Sequence, residues 1–189
     1  MSQIYYVSDY HFFHELALKR SRSKYFNNVD EMNEEIIKKH NNKVKVDDHV
    51  YILGDIIVCE EQDLEEKLKM TVGRLKGHLH LILGNHDYKF RNNPVFLNCF
   101  ETVEESKLIR DNNKWVQLCH YPILLWYRKN KGAYHVFGHM HDDSFTREFH
   151  IIKKEKNLFN ACVEINNFEP CTICDLISNN DRFYKKTLS

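Results

Sequence analysis

Short apolar runs that end on aspartate, asparagine or histidine recur along this chain, and they constrain its fold more than any other feature. Ile4-Tyr5-Tyr6-Val7 leads into Asp9-Tyr10-His11, and Val50-Tyr51-Ile52-Leu53 leads into Gly54-Asp55. Leu79 to Leu83 leads into Gly84-Asn85-His86-Asp87, Trp115 to Cys119 into His120, and Tyr134 to Phe137 into Gly138-His139-Met140-His141. Runs this short and apolar read as strands buried on both faces. Open α/β sheets build their sites in the crevice outside the carboxyl ends of such strands. One block would be weak evidence; all of them, in this order, are strong.

The remaining pattern sets the fold class. Asp30 is expected to cap a helix that runs to about Lys43, with Met32, Ile36 and Ile37 on its inner face. Leu64, Leu68 and Val72 form the stripe of another helix, ending near Gly73. Thr102 to Ile109 and Trp115 to Cys119 flank Asp111-Asn112-Asn113, a hairpin signal, and Leu158 to Ile165 is a further strand. Helix-alternating strands followed by hairpins predict an α/β fold, a layered α/β/β/α sandwich of two mixed sheets flanked by helices. No repeat, low-complexity tract or Pro/Gly/Ser-rich linker divides the chain, so a single domain over residues 1–189 is expected.

Composition removes several classes of function. Lys plus Arg and Asp plus Glu each number 27, so no large field favours nucleic acid or membrane. No apolar stretch reaches the length of a membrane span, and the N-terminus lacks a charged lead before an apolar core, so a soluble, cytoplasmic protein is expected. The six cysteines form no disulfide-like framework, which suits a reducing compartment. Cys171-Thr172-Ile173-Cys174 has redox-motif spacing, but it lies in a late apolar segment, and a zinc ribbon would need a second pair. Buried thiols are the expectation there. Oligomeric state is not legible.

The blocks carry the chemistry of a dinuclear hydrolase. Two divalent ions held roughly 3.5–4 Å apart need a bridging anion. Asp55 is the candidate, with Gly54 allowing the tight turn that projects its carboxylate past the strand end. Asp9 and His11 can converge on the first metal, and Asn85 offers an amide oxygen to the second. His120, His139 and His141 complete the set. Mixed His/Asp/Asn donors fit Mn, Fe, Ni, Co or Zn better than Ca or Mg. His86 is expected to act as general acid toward the leaving-group oxygen, help worth on the order of 10²–10⁴ in rate. Asp87 either orients His86 or holds the turn. A hydroxide bridging the metals would be the nucleophile.

At these residues the chain resembles the calcineurin-like metallophosphoesterase superfamily, whose pattern is D-x-H, G-D, G-N-H-D/E, H and G-H-x-H. More narrowly it is similar to small, capless bacterial and phage members, through Ser8 to His14, Asp30-Glu31-Met32-Asn33, His120-Tyr121-Pro122, Trp126 and Asn160-Ala161-Cys162-Val163-Glu164. The similarity spans about residues 4–178. It implies one metal on Asp9, His11, Asp55 and His141, and another on Asp55, Asn85, His120 and His139, with Mn as the leading metal and His86 as the acid. Two departures stand out. Ile56-Ile57-Val58 follows Gly-Asp without the nearby arginine of Ser/Thr protein phosphatases, and Glu164 stands where relatives commonly carry a different residue, so its role is open.

Other residues carry weaker signals. His14 either contacts substrate phosphate or caps the following helix. Trp126, Tyr127 and Arg128, between His120 and Gly138, are expected to overhang the site and contact substrate, the alternative being a solvated loop with its aromatics folded under. His78 and His80 read as structural or exposed, and His40, His49, His135 and His150 belong to no motif. The expected activity is metal-dependent hydrolysis of a phosphodiester or nucleotide-type phosphoester, on a nucleotide or a nucleic-acid end. A metal-dependent nuclease and a non-catalytic metal-binding scaffold are the alternatives.

Overall fold

A computed structural model of the chain describes residues 2–186. Strands β1 (Ile4–Val7), β2 (His49–Ile52), β3 (His78–Ile82) and β4 (Thr102–Glu104) form one sheet in that order, parallel throughout. Strands β5 (Ser106–Asp111), β6 (Lys114–Cys119), β7 (Tyr134–Phe137) and β8 (Leu158–Asn160) form the second. There β5 and β6 are an antiparallel hairpin, while β6, β7 and β8 run parallel. The hairpin turns through Asn112 and Asn113, at φ 46° and 63°, the left-handed pair a tight hairpin needs.

Side-chain alternation sorts the apolar residues into three layers. Val7, Val50, Ile52, Leu79 and Leu81 face outward from the first sheet. Against them pack α2 (Val29–Lys43), α3 (Leu64–Met70) and α4 (Pro94–Leu97) through Met32, Ile36, Leu64, Leu68 and Phe96. Tyr6, Tyr51, Leu53 and Ile82 face the other way and meet Ile109, Val116, Leu118 and Val136 of the second sheet. Ile173 and Leu176 of α6 (Ile173–Lys186) join that central layer. Phe137 and Leu158 form the outer layer with Trp126, Ala133 and Ile152, the last from α5 (Arg147–Ile152). The result is the α/β/β/α sandwich expected, except that the strands of the first sheet are all parallel rather than mixed; beside them β1 makes one isolated antiparallel bridge, Tyr6 to Cys171.

Local details depart from the sequence reading where a side chain outbids a pattern. The cap of α2 is Asn28 rather than Asp30: Asn28 accepts from the Glu31 amide at 2.8 Å, and Glu31 in return accepts from the Asn27 amide. The Thr102 to Ile109 run breaks at Glu105, so its first residues extend one sheet and the rest begin the other. The run from Leu158 keeps strand form only to Asn160 and becomes a 3₁₀ turn at Val163–Ile165. Cys171 is buried, but Cys174 is exposed on the first turn of α6, so only one of that pair packs as a small hydrophobe. Among the described residues, no helix is long and apolar enough to cross a membrane.

Two histidines are locked neutral in this framework. His40 accepts from the Tyr10 hydroxyl at 2.7 Å and donates to the Lys76 carbonyl at 2.8 Å. His135 accepts from the Ile123 amide and donates to the Gln117 carbonyl, both at 3.0 Å. Burial pushes each pKa down to about 4. Their folded pKa lies below the unfolded one, so the stability they contribute is complete above pH 6.5 and is lost as pH falls toward 4. Within that window each adds a slope of up to about 1.4 kcal/mol per pH unit. Urea unfolding of the wild type at pH 7, 6 and 5 should show this decline, and His40→Gln should flatten it by one proton's worth. An unchanged slope in His40→Gln would mean that His40 binds its proton equally in the folded and unfolded states, and is not held neutral by the fold.

Candidate metal centre

The parallel strands of both sheets end at one place. Asp9 follows β1, Asp55 follows β2, and Asn85 and His86 follow β3; from the other sheet His120 follows β6, and His139 and His141 follow β7. The two sheets are joined there by backbone. The Ser8 amide donates to the Ala161 carbonyl at 3.0 Å, and the Val163 amide donates to the Ser8 carbonyl at 3.2 Å. Gly54, at φ 87°, permits a close approach: a Cβ there would lie 2.6 Å from both the Gly84 Cα and His120 Nδ1.

The donor atoms fall into two sets sharing one carboxylate. Asp9 Oδ1 lies 3.5 Å from His11 Nε2 and 3.5 Å from His141 Nε2. Asp55 Oδ2 lies 3.7 Å from His11 Nε2 and 3.6 Å from His120 Nε2. Asn85 Oδ1 lies 3.2 Å from His120 Nε2, and His139 completes a cluster with Asp55 and His120. Asp9 Oδ1 and His11 Nε2 are both buried, face each other, and have no hydrogen-bond partner among the described residues. A buried carboxylate oxygen and imidazole nitrogen orphaned this way are costly unless a cation lies between them. The donor set therefore fits divalent metals.

Neighbouring groups aim each donor. His120 donates from Nδ1 to the Leu53 carbonyl at 2.6 Å, which turns its Nε2 lone pair toward Asp55. His141 donates from Nδ1 to Glu164 at 2.9 Å, leaving Nε2 toward Asp9. His11 Nδ1 lies 2.9 Å from His14 Nδ1. Burial, with His11 and His86 nearby, pushes the His14 pKa down to about 4, so His14 serves as a neutral acceptor. Asp9 Oδ2 accepts from the His139 amide at 2.9 Å, from Cys162 Sγ at 3.1 Å and from Ser8 Oγ. Partner groups of this kind set tautomer and ring direction in metal sites. Burial opposes ionisation of Asp9, yet the imidazoles of His11, His141 and His120 around it hold the carboxyl well below the usual range. Burial likewise lowers His141, but Glu164 and then Asp9 outweigh it and raise the imidazole to about 9.

Five of these residues have left-handed backbone: Asp9 at φ 61°, His11 at 52°, Asp55 at 56°, His139 at 68° and His141 at 47°. Such conformations cost of order 1–3 kcal/mol each in non-glycine residues, and they gather at functional sites.

Several sequence expectations change here. Asp87 is fully buried and accepts from the amides of Asp55, Ile56 and Gly84 at 2.7, 3.0 and 2.9 Å. Its carboxylate is spent on holding the two turns together, so it positions the site and is not a catalytic group. His14 makes no side-chain cap to the short helix α1 (Glu15–Ala17) and instead lines the cavity. Trp126, Tyr127 and Arg128 do not line it. Trp126 is folded under, donating to the Ala133 carbonyl at 3.0 Å, and Tyr127 stands edge-on to Trp115. Arg128 lies over the Tyr127 ring. The cavity, of about 740 Å³, opens on the other side, walled by Leu16, Arg20, Ser21 and Lys24 and by Asp142, Asp143 and Phe145.

Arg22 belongs to no motif in the sequence, yet the structure places it beneath the site. It lies in the π-helical turn Leu18–Arg22, is fully buried, and donates to the Asp9 and Tyr10 carbonyls at 2.6 and 2.7 Å. Its Nε and Nη2 also donate to Glu164, at 2.9 and 2.7 Å. That pairing answers the open question about Glu164, whose pKa is lowered to about 2: burial would raise it, and Arg22 and His141 prevail.

The strand-end centre on a two-sheet α/β sandwich is the architecture that the calcineurin-like resemblance implied. The chain belongs to the same family as the uncharacterized protein MJ1445 of Methanocaldococcus jannaschii, to which it is 33% identical over 177 residues, covering 94% of this chain and 90% of that protein. It shares its fold with the protein of unknown function AQ665 from Aquifex aeolicus, at a TM-score of 0.71 and 24% identity, over 94% of this chain and 99% of that one. A looser likeness, at a TM-score of 0.45 and 18% identity, is to Pseudomonas putida nuclease MPE, over 73% of this chain and 60% of that one. No family model matches the chain.

Glu164→Gln should cost about 3–5 kcal/mol in urea unfolding, because it strands the buried Arg22 charge. Adding Arg22→Met should recover part of that loss. A double variant as unstable as the sum of both singles would show that the pair is not coupled.

Proposed function

We propose that this protein is a calcineurin-like phosphoesterase that uses two divalent cations to hydrolyse a phosphodiester or nucleotide-type phosphoester. The observation that carries the reading is Asp55 Oδ2, set between His11 Nε2 at 3.7 Å and His120 Nε2 at 3.6 Å. Asp9, His11, Asp55 and His141 would hold one cation, and Asp55, Asn85, His120 and His139 the other. Bound there, the cations would neutralise phosphate charge and bring the pKa of water toward neutrality. The abundance of imidazole favours Mn, Fe, Co, Ni or Zn, with Mn our first choice.

The chain's own groups supply the rest. His86 is half-buried beside His11 and His14, with ring centroids 5.1 and 5.2 Å away, and its amide donates to Asp55 Oδ1 at 2.9 Å. From there it donates a proton to the leaving-group oxygen. Arg20 lines the cavity and meets phosphate charge, while exposed Leu16 and Phe145 offer apolar surface to an organic group such as a base. Lys24 is held by Asp142 at 3.4 Å, and Asp143 beside that pair repels a long polyanion. A nucleotide or a nucleic-acid end therefore suits the cavity better than the interior of a strand. The reading keeps the cytoplasm as its compartment, where six free thiols stay reduced.

Turnover of bis-p-nitrophenyl phosphate by the Mn²⁺-loaded protein, beside the monoester, tests this. Diester hydrolysis should disappear on chelation and return with Mn²⁺. Asp55→Asn should abolish it, and His86→Ala should lower kcat by about 10²–10⁴ while keeping fold and metal content. Full activity in His86→Ala would remove it as the acid. No turnover of either ester by a metal-loaded protein would favour the scaffold alternative.

Arg20→Ala should raise KM for a nucleotide substrate more than it lowers kcat, since Arg20 lines the cavity and is not among the metal donors. The reverse pattern in steady-state kinetics would count against a binding role for Arg20.

A further inference from the structure

A second group of metal-ligating side chains lies at the opposite end of the first sheet. Parallel pairing sets His49 of β2 beside His78 of β3, and His80 beside Thr102 of β4. His49 Nδ1 lies 3.0 Å from His80 Nε2, and His80 Nε2 lies 3.8 Å from Glu101 Oε2. One donor atom from each of the three falls within 4.8 Å of the others. A tetrahedral zinc ion, bonded at about 2.0–2.2 Å, sets its ligand atoms roughly 3.3–3.5 Å apart. The observed separations bracket that spacing.

The surroundings are those of a ligand set rather than of a lone hydrogen bond. His80 is buried, with Nδ1 at 3.1 Å from Thr102 Oγ1, which fixes the ring and leaves Nε2 toward His49 and Glu101. Its face stacks on Tyr51, with centroids 4.7 Å apart. The other Glu101 oxygen is engaged by His78 Nδ1, which aims the carboxylate. Lys107, the nearby cation, is paired with Glu104. His80 Nε2 and Glu101 Oε2 thus face each other beyond hydrogen-bond reach.

We propose that His49, His80 and Glu101 form a structural site for a late first-row divalent cation, with Zn²⁺ as the leading candidate and His78 orienting the carboxylate. Such an ion would tie β2, β3 and the entry to β4 together. His49 stands six positions before Asp55, roughly 20 Å along the strand from the candidate catalytic centre. The two sites are therefore separate, and this one does not depend on the reading of the other.

The test counts Zn²⁺. Full-length protein is stripped with chelator, dialysed against Zn²⁺ and analysed for metal per chain, beside His49→Gln/His80→Gln and Glu101→Gln. The double variant should bind one equivalent less than wild type, and the wild-type Tm should rise more with Zn²⁺ than the variant's. The same loss should persist in an Asp55→Asn background. If the catalytic centre holds no metal at all, the count falls from one to none instead of from three to two, so failure of either reading is visible by itself. Circular dichroism of the stripped proteins checks folding; should the double variant not fold, Glu101→Gln alone, at a half-exposed position, must show the loss. Equal zinc content in wild type and in the folded variants would overturn the proposal.

Discussion

The buried carboxylate of Asp87 is the interaction on which the strand-end centre rests. By accepting the amides of Asp55, Ile56 and Gly84 it binds the turn after β2 to the turn after β3. Asp55 and Asn85 are then carried on one rigid unit, and the Asp55 carboxylate is held at the strand ends. Burial raises the Asp87 pKa to about 6 against these three bonds, so the carboxylate owes its ionised state to the amides it organises. Each side of that exchange needs the other.

The second sheet is locked on by a comparable device. Asp9 spends one oxygen on the His139 amide, Cys162 and Ser8, which fastens β1 to the segments after β7 and β8. Its other oxygen is left for the cluster with His11 and His141. Arg22 and Glu164 form a fully buried ion pair beneath, one partner gripping the Asp9 and Tyr10 carbonyls, the other aiming His141. A buried pair of this kind contributes little net stability, but it fixes geometry, because breaking it strands a charge. The left-handed backbone of five donor residues is strain that these contacts restrain.

The donors were legible because a strand followed by a turn is local. Gly54-Asp55 and Gly138-His139-Met140-His141 declare a tight turn with polar side chains within a few residues, and the residues expected to hold metal come together at the strand ends. The fold class was legible for a similar reason: alternation and run length distinguish a doubly buried strand from a helix. What misled was proximity along the chain. Trp126, Tyr127 and Arg128 sit between two ligand blocks, yet Trp126 is drawn beneath by Ala133 and the outer face of the second sheet. Arg20, Lys24 and Phe145, which do line the cavity, carry no pattern distinguishing them from ordinary surface residues.

By itself the sequence determined the strands, the turns and the chemistry at their ends, since glycine, aspartate and histidine at fixed short spacing leave the backbone few choices. Tertiary structure alone decided which carboxylate holds the turns together and which one lies among the imidazoles, where the cavity opens, and what His49 and His80 face. Those outcomes depend on contacts such as Arg22 with Glu164, 142 positions apart, or His80 with His49, 31 apart. Only the pairing of the strands and the closure of two sheets bring such residues within hydrogen-bond range, and no local pattern encodes that distance.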